Sequence, residues 1–402
     1  MIQDFWESDA PLDIEFNRAA EQFGGALDLR SSQQDPRVDT AQRSEARART
    51  RLLFLRPINI FHHILDRLAT WPSLKDSVMN KIKFGYLYTT MPNAICWKDA
   101  GQPFIGVTSG LGYLVFGWAS NLLSMPDFMP DAIDGTEEEQ VDDLQLLRSG
   151  FDLEKVIDWA REEGLVYGRH RTPKSLIRML MSYEVTHMAL LHAFLHELGH
   201  CLLRHLDFLE DHLDLTLIKE LRLDYEGSPE EIHLAHFFEL TADNFAMEFA
   251  LSLKLGEKYS AGKTDGYAVW SLALDLLLWL FGHGTPLSKA SLTHPHPQVR
   301  LMNKVLKLLD YEKQNPNRIS CPLGPDTQLP LHRLCNWVSM QLANSWKTLQ
   351  LPGWISSPFI EKDARDVAYK ACRDIWQTNT HIRQDYEEYV DWTTINNVLR
   401  ID

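Results

Sequence analysis

At 402 residues, with 45% hydrophobic and 10% aromatic content, the chain can bury a large core and hold two or three domains. A net charge of −15 and the lack of a basic stripe exclude a general nucleic-acid binder, which must neutralise phosphates. Five scattered cysteines (Cys96, Cys201, Cys321, Cys335, Cys372), with no Cys-x-x-Cys pair, predict reduced thiols rather than a disulfide framework or a thiolate zinc site.

The opening stretch Met1 to Asp9 is acidic and has no apolar core, so no signal peptide is expected and the expected location is cytoplasmic. A short N-terminal helix leads into residues 28–51, which are polar and predict a mobile connection. From Leu52 the apolar spacing turns helical through Phe61, Ile64, Leu65 and Leu68, until Trp71-Pro72 interrupts it. Residues 82–108 change period. Tyr86 to Trp97, a turn at Lys98 to Pro103, and Phe104 to Thr108 predict two strands joined by a loop, with a helix starting at Gly110.

The acidic stretch Asp127 to Asp143 predicts an exposed insertion, set within a longer one over 127–180. Helical periodicity then dominates over about 174–206, 229–254, 266–282 and 297–310, with shorter helices to the C-terminus. The apolar run Ala268 to Gly282 carries Asp275 and is too short to span a bilayer, so it predicts a buried helix and no membrane span. The fold class expected is mainly α with a small β-sheet. Its parts are an N-terminal helix and connection (1–51), a central unit (52–310) and a helical region of unassigned role (311–402).

The chemistry gathers at His196-Glu197-Leu198-Gly199-His200. Two imidazoles one helical turn apart can grip one metal ion, and a carboxylate beside the first can work on water. From Thr186 to Leu203 the chain is apolar apart from its histidines and Glu197, and His192, His196 and His200 share one helix face. A buried, unpaired Glu197 would cost several kcal/mol, so it calls for a metal, a partner or a wet cleft. His192 by itself reads as a satisfied core histidine. A catalytic zinc takes a third protein ligand. Glu239 is one candidate, with Asp243 a turn later to hold the far nitrogen of a ligand histidine, and His233 and His236 compete with it.

His196 to His200 followed by Glu239-Leu240-Thr241-Ala242-Asp243 resembles the HExxH and ExxAD pattern of gluzincin zinc metallopeptidases, in particular the family of HtpX and the CAAX prenyl protease. Pro92-Asn93-Ala94 with Ile105 to Leu111 is similar to that family's segment before the active-site helix. Thr293-His294-Pro295 through Arg300 resembles its later His-Pro segment. Members of that family usually span membranes, so a Lit-like phage-exclusion peptidase is the narrower resemblance.

The resemblance implies a zincin-like metallopeptidase core over 52–310, with one catalytic Zn2+ on His196, His200 and Glu239. It makes Glu197 the general base and His294 a hydrogen-bond donor to the developing oxyanion. Asp243 orients a ligand histidine, and Arg300 ties the His294 loop to the core. Substrate is expected in extended form on an edge strand at Ile105, Gly106, Val107 and Thr108, with Asn93 orienting the substrate or the oxyanion. The implied function is a zinc endopeptidase acting on a protein or peptide, either regulated by a partner or ligand or defence-related. Two alternatives stand beside it: a catalytically silent, zinc-stabilised interaction protein, and a zinc hydrolase of small amides.

Overall fold

A computed structural model describes residues 14–27, 40–70, 82–130, 134–139, 151, 170–213, 229–253, 266–282, 294–315, 320–322, 328–349, 362–377, 384, 386–388 and 390. Within them the chain is mainly helical with a small mixed sheet, as its periodicity predicts. The first half holds α1 (Ile14–Ala20), α2 (Thr40–Ala69), β1 (Lys83–Leu87), β2 (Ala94–Asp99), β3 (Gln102–Thr108) and α3 (Ser109–Leu123). Then come α4 (Leu176–Leu202), α5 (His205–Leu213), α6 (Pro229–Ser252), α7 (Gly266–Gly282) and α8 (Pro297–Gln314). The strand pair β4 (Ser320–Pro322) and β5 (Gln328–Pro330) precedes α9 (Leu331–Thr348) and α10 (Lys362–Gln377). The expected connection at 28–39, the Trp71-Pro72 break and most of the 127–180 insertion lie outside the described residues.

Helix α4 is the axis of the fold. It packs against α2, α3, α6 and α7 and against β2 and β3. Every residue from Val185 to Leu202 is buried, so the apolar side chains drive the packing and each polar one must find a partner inside. Its first turn is held from a distance. The Glu138 carboxylate accepts the backbone N–H groups of Lys174 (3.1 Å) and Ser175 (3.0 Å), which places a negative charge at the positive end of the helix. The Ser175 hydroxyl makes no cap of its own there. Arg178, fully buried, donates to the carbonyls of Leu123 (2.9 Å), Met125 (2.7 Å), Phe128 (3.1 Å) and Asp134 (2.9 Å). The acidic stretch is therefore not simply an exposed insertion: its described part clamps the start of α4.

Two further expectations change. Helix α2 begins at Thr40 rather than Leu52, inside the stretch that composition assigned to a mobile connection. The 82–108 segment holds three strands, because Thr89 to Pro92 break the first predicted strand in two. Their order is β1-β3-β2, with β3 parallel to β1 and antiparallel to β2. One sheet face (Tyr86, Ala94, Cys96, Ile105, Val107) joins the main core under α4. The other (Leu87, Ile95, Trp97, Phe104) packs on Phe16, Ala19 and Ala20 of α1.

The C-terminal helices share that core. Helix α9 packs on α7, and α10 packs on α8 and α6. Asp275 of α7 explains its place in an apolar run. It accepts from Lys304 of α8 (2.5 Å) and from Ser339 of α9 (2.5 Å), so three helices meet on one buried carboxylate. Among the described residues no helix is long and apolar enough to cross a membrane.

Candidate metal centre

His196 and His200 lie on α4 one turn apart, and Glu239 and Asp243 lie one turn apart on α6, the helix packed against them. Gly199 sets the spacing between the two helices. A methyl group at this position would stand 3.2 Å from Cα of Ala242, so a larger residue would push the two helices apart by a few tenths of an ångström. The approach brings the Nε2 atoms of His196 and His200 to 3.1 Å from each other, and to 3.4 Å and 3.3 Å from the two Glu239 oxygens.

These three residues are all buried, and their ligand atoms can share one metal ion. Neither oxygen of Glu239 makes a hydrogen bond; the Arg300 guanidinium lies 3.9 Å away, and a buried carboxylate so placed favours a cation closer to it. His233 is exposed, and neither it nor the buried His236 joins the cluster, so the third position falls to Glu239 among the described residues.

The surroundings draw positive charge to this point. Nδ1 of His196 lies 3.0 Å from Oδ1 of Asp243. Burial alone would disfavour an imidazolium, yet Asp243 and Glu239 outweigh it and raise the His196 pKa to about 10. A metal ion would satisfy the same two carboxylates by displacing that proton. Glu239, despite burial, is held well below the usual carboxylate range by His294, His196 and His200. Asp243 is held in turn by Arg300, whose Nε and Nη2 donate to its two oxygens at 2.7 and 2.6 Å. Asp243 thus touches both the His196 ring and Arg300, which stands six residues after His294.

The remaining groups surround a cleft beside the cluster, lined by Asn93, Ala94, His192, Glu197, Leu274, Leu277, Leu278, His294 and Arg300 among others. Glu197 is 3% exposed, and burial raises its pKa. One of its oxygens is unpartnered and the Cys96 thiol lies beside the carboxyl. The two histidines of the His294-Pro295-His296-Pro297 segment divide their work. His296 caps α8 by accepting the Gln298 N–H (3.2 Å), while His294 faces the cleft with Nε2 3.4 Å from Glu239. Burial lowers the His294 pKa to about 4, so its ring is neutral.

His192 does not behave as a satisfied core histidine. It is 5% exposed and lines the cleft, yet neither ring nitrogen has a hydrogen-bond partner, and burial lowers its pKa to about 3.

The substrate strand is displaced from its expected position. Ile105, Gly106, Val107 and Thr108 belong to β3, the central strand, whose backbone is paired on both sides and leaves no edge for a peptide. The Thr108 hydroxyl is also committed. It donates to Asn93 O (2.9 Å) and accepts from Asn93 N (2.8 Å) and Leu111 N (3.3 Å), so it positions Asn93 and caps α3. Strands β1 and β2 are the two edges; residues 25–27 bridge the outer side of β1, whereas among the described residues no strand pairs the outer side of β2. The Thr108 N–H to Asn93 O bond (2.9 Å) sets the phase, so Ala94 and Cys96 turn their backbone groups away from β3. Asn93 spends its Oδ1 on the Ala94 N–H (2.9 Å) and keeps its amide NH2 as the side-chain donor at the cleft.

Sequence reasoning missed two residues behind His200. His205 Nδ1 lies 2.8 Å from His200 Nδ1, and His205 Nε2 lies 3.1 Å from the Thr241 hydroxyl. Thr241 stood inside the Glu239 to Asp243 segment with no role assigned. His205, five residues past His200, fits no helical spacing. No protein-family model, curated protein or solved structure matches the chain.

Proposed function

We propose that this chain is a zinc-dependent endopeptidase of gluzincin type acting on extended protein segments. The Glu239 carboxylate carries the reading. It is fully buried, neither oxygen makes a hydrogen bond, and two imidazole nitrogens face it at 3.3 and 3.4 Å. Zinc bonds to nitrogen and oxygen at about 2.0–2.1 Å, which for tetrahedral angles spaces neighbouring ligands by about 3.3–3.4 Å. The two imidazole nitrogens stand 3.1 Å apart and each faces one of the two Glu239 oxygens, at 3.4 and 3.3 Å, a spacing that suits that ion.

When bound, zinc supplies Lewis acidity, activating water and polarising a carbonyl. The other steps belong to the protein. Glu197 faces the same cleft as the first ligand. It takes a proton from the attacking water and passes it to the leaving amine, a task helped by the burial that raises its affinity for protons. His294, neutral and beside Glu239, donates its N–H to the substrate oxygen as charge develops there. Asp243 and Arg300 hold His196 in orientation.

A peptide laid along the outer side of β2 passes Asn93 and enters the cleft beside the cluster. Leu274, Leu277 and Leu278 of α7 form an apolar wall there for one substrate side chain. The test compares wild type with Glu197→Gln in one host, mapping newly formed protein N-termini and measuring bound metal in both. Zinc in both proteins, with new N-termini only from wild type, is expected. Identical N-terminal sets would overturn the reading.

A further inference from the structure

Behind His200, hydrogen-bond directions can be read outward from a group whose role is fixed. The Thr241 hydroxyl lies 2.9 Å from the Phe238 carbonyl oxygen, which can only accept, so the hydroxyl proton sits on that line. The same hydroxyl is 3.1 Å from His205 Nε2 and has only lone pairs left to offer. His205 Nε2 therefore carries the proton and donates. The His205 ring is fully buried and stacked on Phe238, and its nitrogens meet only the Thr241 hydroxyl and the His200 ring, so with one proton placed at Nε2 its Nδ1 is the bare, accepting nitrogen. At 2.8 Å the remaining donor is His200 Nδ1–H. The far nitrogen of His200, Nε2, is then left bare, and it is this atom that faces Glu239 and His196.

The backbone is bent to make this contact. In a continuous α-helix, residues five apart point about 140° away from each other. Helix α4 instead stops at Leu202, and Arg204 takes the left-handed conformation (φ 57°) before α5 starts at His205. That turn swings His205 back onto His200. Its ring is then stacked on Phe238 (4.3 Å between centroids) and backed by Tyr386, whose hydroxyl donates to the Leu203 carbonyl (2.9 Å) at the helix end.

We propose that Thr241 and His205 are positioning residues that hold His200 in the Nδ1–H tautomer and so keep its Nε2 lone pair directed at the metal position. The proposal rests on the assignment of His200 as a zinc ligand, but its test does not depend on cleavage. Long-range 1H–15N spectra of the full-length, metal-free protein distinguish bare from protonated ring nitrogens. They should show His200 bare at Nε2 and His205 bare at Nδ1.

Thr241→Val removes the hydroxyl and should mix the two tautomers of both rings, whereas Thr241→Ser should restore the wild-type pattern. Zinc affinity, measured by competition with a chelator, should fall about 10–100-fold in Thr241→Val and in His205→Phe, but not in Thr241→Ser. A His200 ring protonated at Nε2 in wild type would overturn the proposal, as would tautomers or zinc affinity unchanged in Thr241→Val. Wild type that binds no zinc would instead remove the peptidase reading, and the spectra alone would then decide the relay.

Discussion

Replacing Arg300 with methionine probes the support behind the metal centre. The guanidinium makes two short hydrogen bonds to Asp243, at 2.7 and 2.6 Å, and both residues are about 5% exposed or less. Removing one partner of such a pair leaves a buried charge unanswered and costs about 3–5 kcal/mol, far more than the ~0–1 kcal/mol of a surface pair. Asp243 would keep only His196 at 3.0 Å, so it could turn away and release that ring. Urea unfolding of chelator-treated protein should show the stability loss, and zinc affinity should fall about 10–100-fold. Adding Asp243→Leu removes the stranded carboxylate, so the double variant should lose less than the sum of the singles, by roughly 0.5–3 kcal/mol. A loss below about 1 kcal/mol in Arg300→Met, with simple additivity in the double variant, would refute the clamp.

Three further outcomes are expected. Glu239→Ala should abolish tight zinc binding while the fold persists by circular dichroism; full metal retention by mass spectrometry would return His236 or another residue to the third position. His192→Leu removes two unpartnered buried nitrogens from a wall otherwise lined by leucines, so urea unfolding should show a gain of about 1–3 kcal/mol. A loss of stability instead would mean that His192 has a partner in the folded protein. His187, remote from the cleft and 2.7 Å from the Leu52 carbonyl, has its pKa lowered by burial to about 3. Between the unfolded value near 6.5 and about 3 the unfolded chain binds the extra proton, so stability falls as pH falls, by ~1.4 kcal/mol per unit. From pH 7 to 5, wild type should therefore lose about 2 kcal/mol more than His187→Gln, and equal losses would contradict the buried neutral ring.

What the sequence determined by itself was the grouping of side chains at short range. His196, Glu197 and His200 fall on one face because helical spacing is local, and Glu239 with Asp243 repeats the same step on a second helix. The class of fold was legible for the same reason, as was the burial of Ala268 to Leu280 within the apolar run, where Asp275 could be noticed but its partners Lys304 and Ser339 could not.

Tertiary structure decided everything that depended on which elements meet. Strand periodicity marked Ile105 to Thr108 as a strand but carried no information on lateral order, so it could not place β3 in the centre and β2 outside. Composition made 28–51 and Asp127 to Asp143 look like exposed chain, yet α2 starts at Thr40 and Glu138 holds the start of α4. His205 reached His200 only through a left-handed turn at Arg204, a backbone state no pattern of side chains announces. The same histidine type that reads as ligand at His196 reads as cap at His296, relay at His205 and unpartnered wall at His192. Spacing along the chain is shared by all of them, and only the neighbours folded against each ring tell them apart.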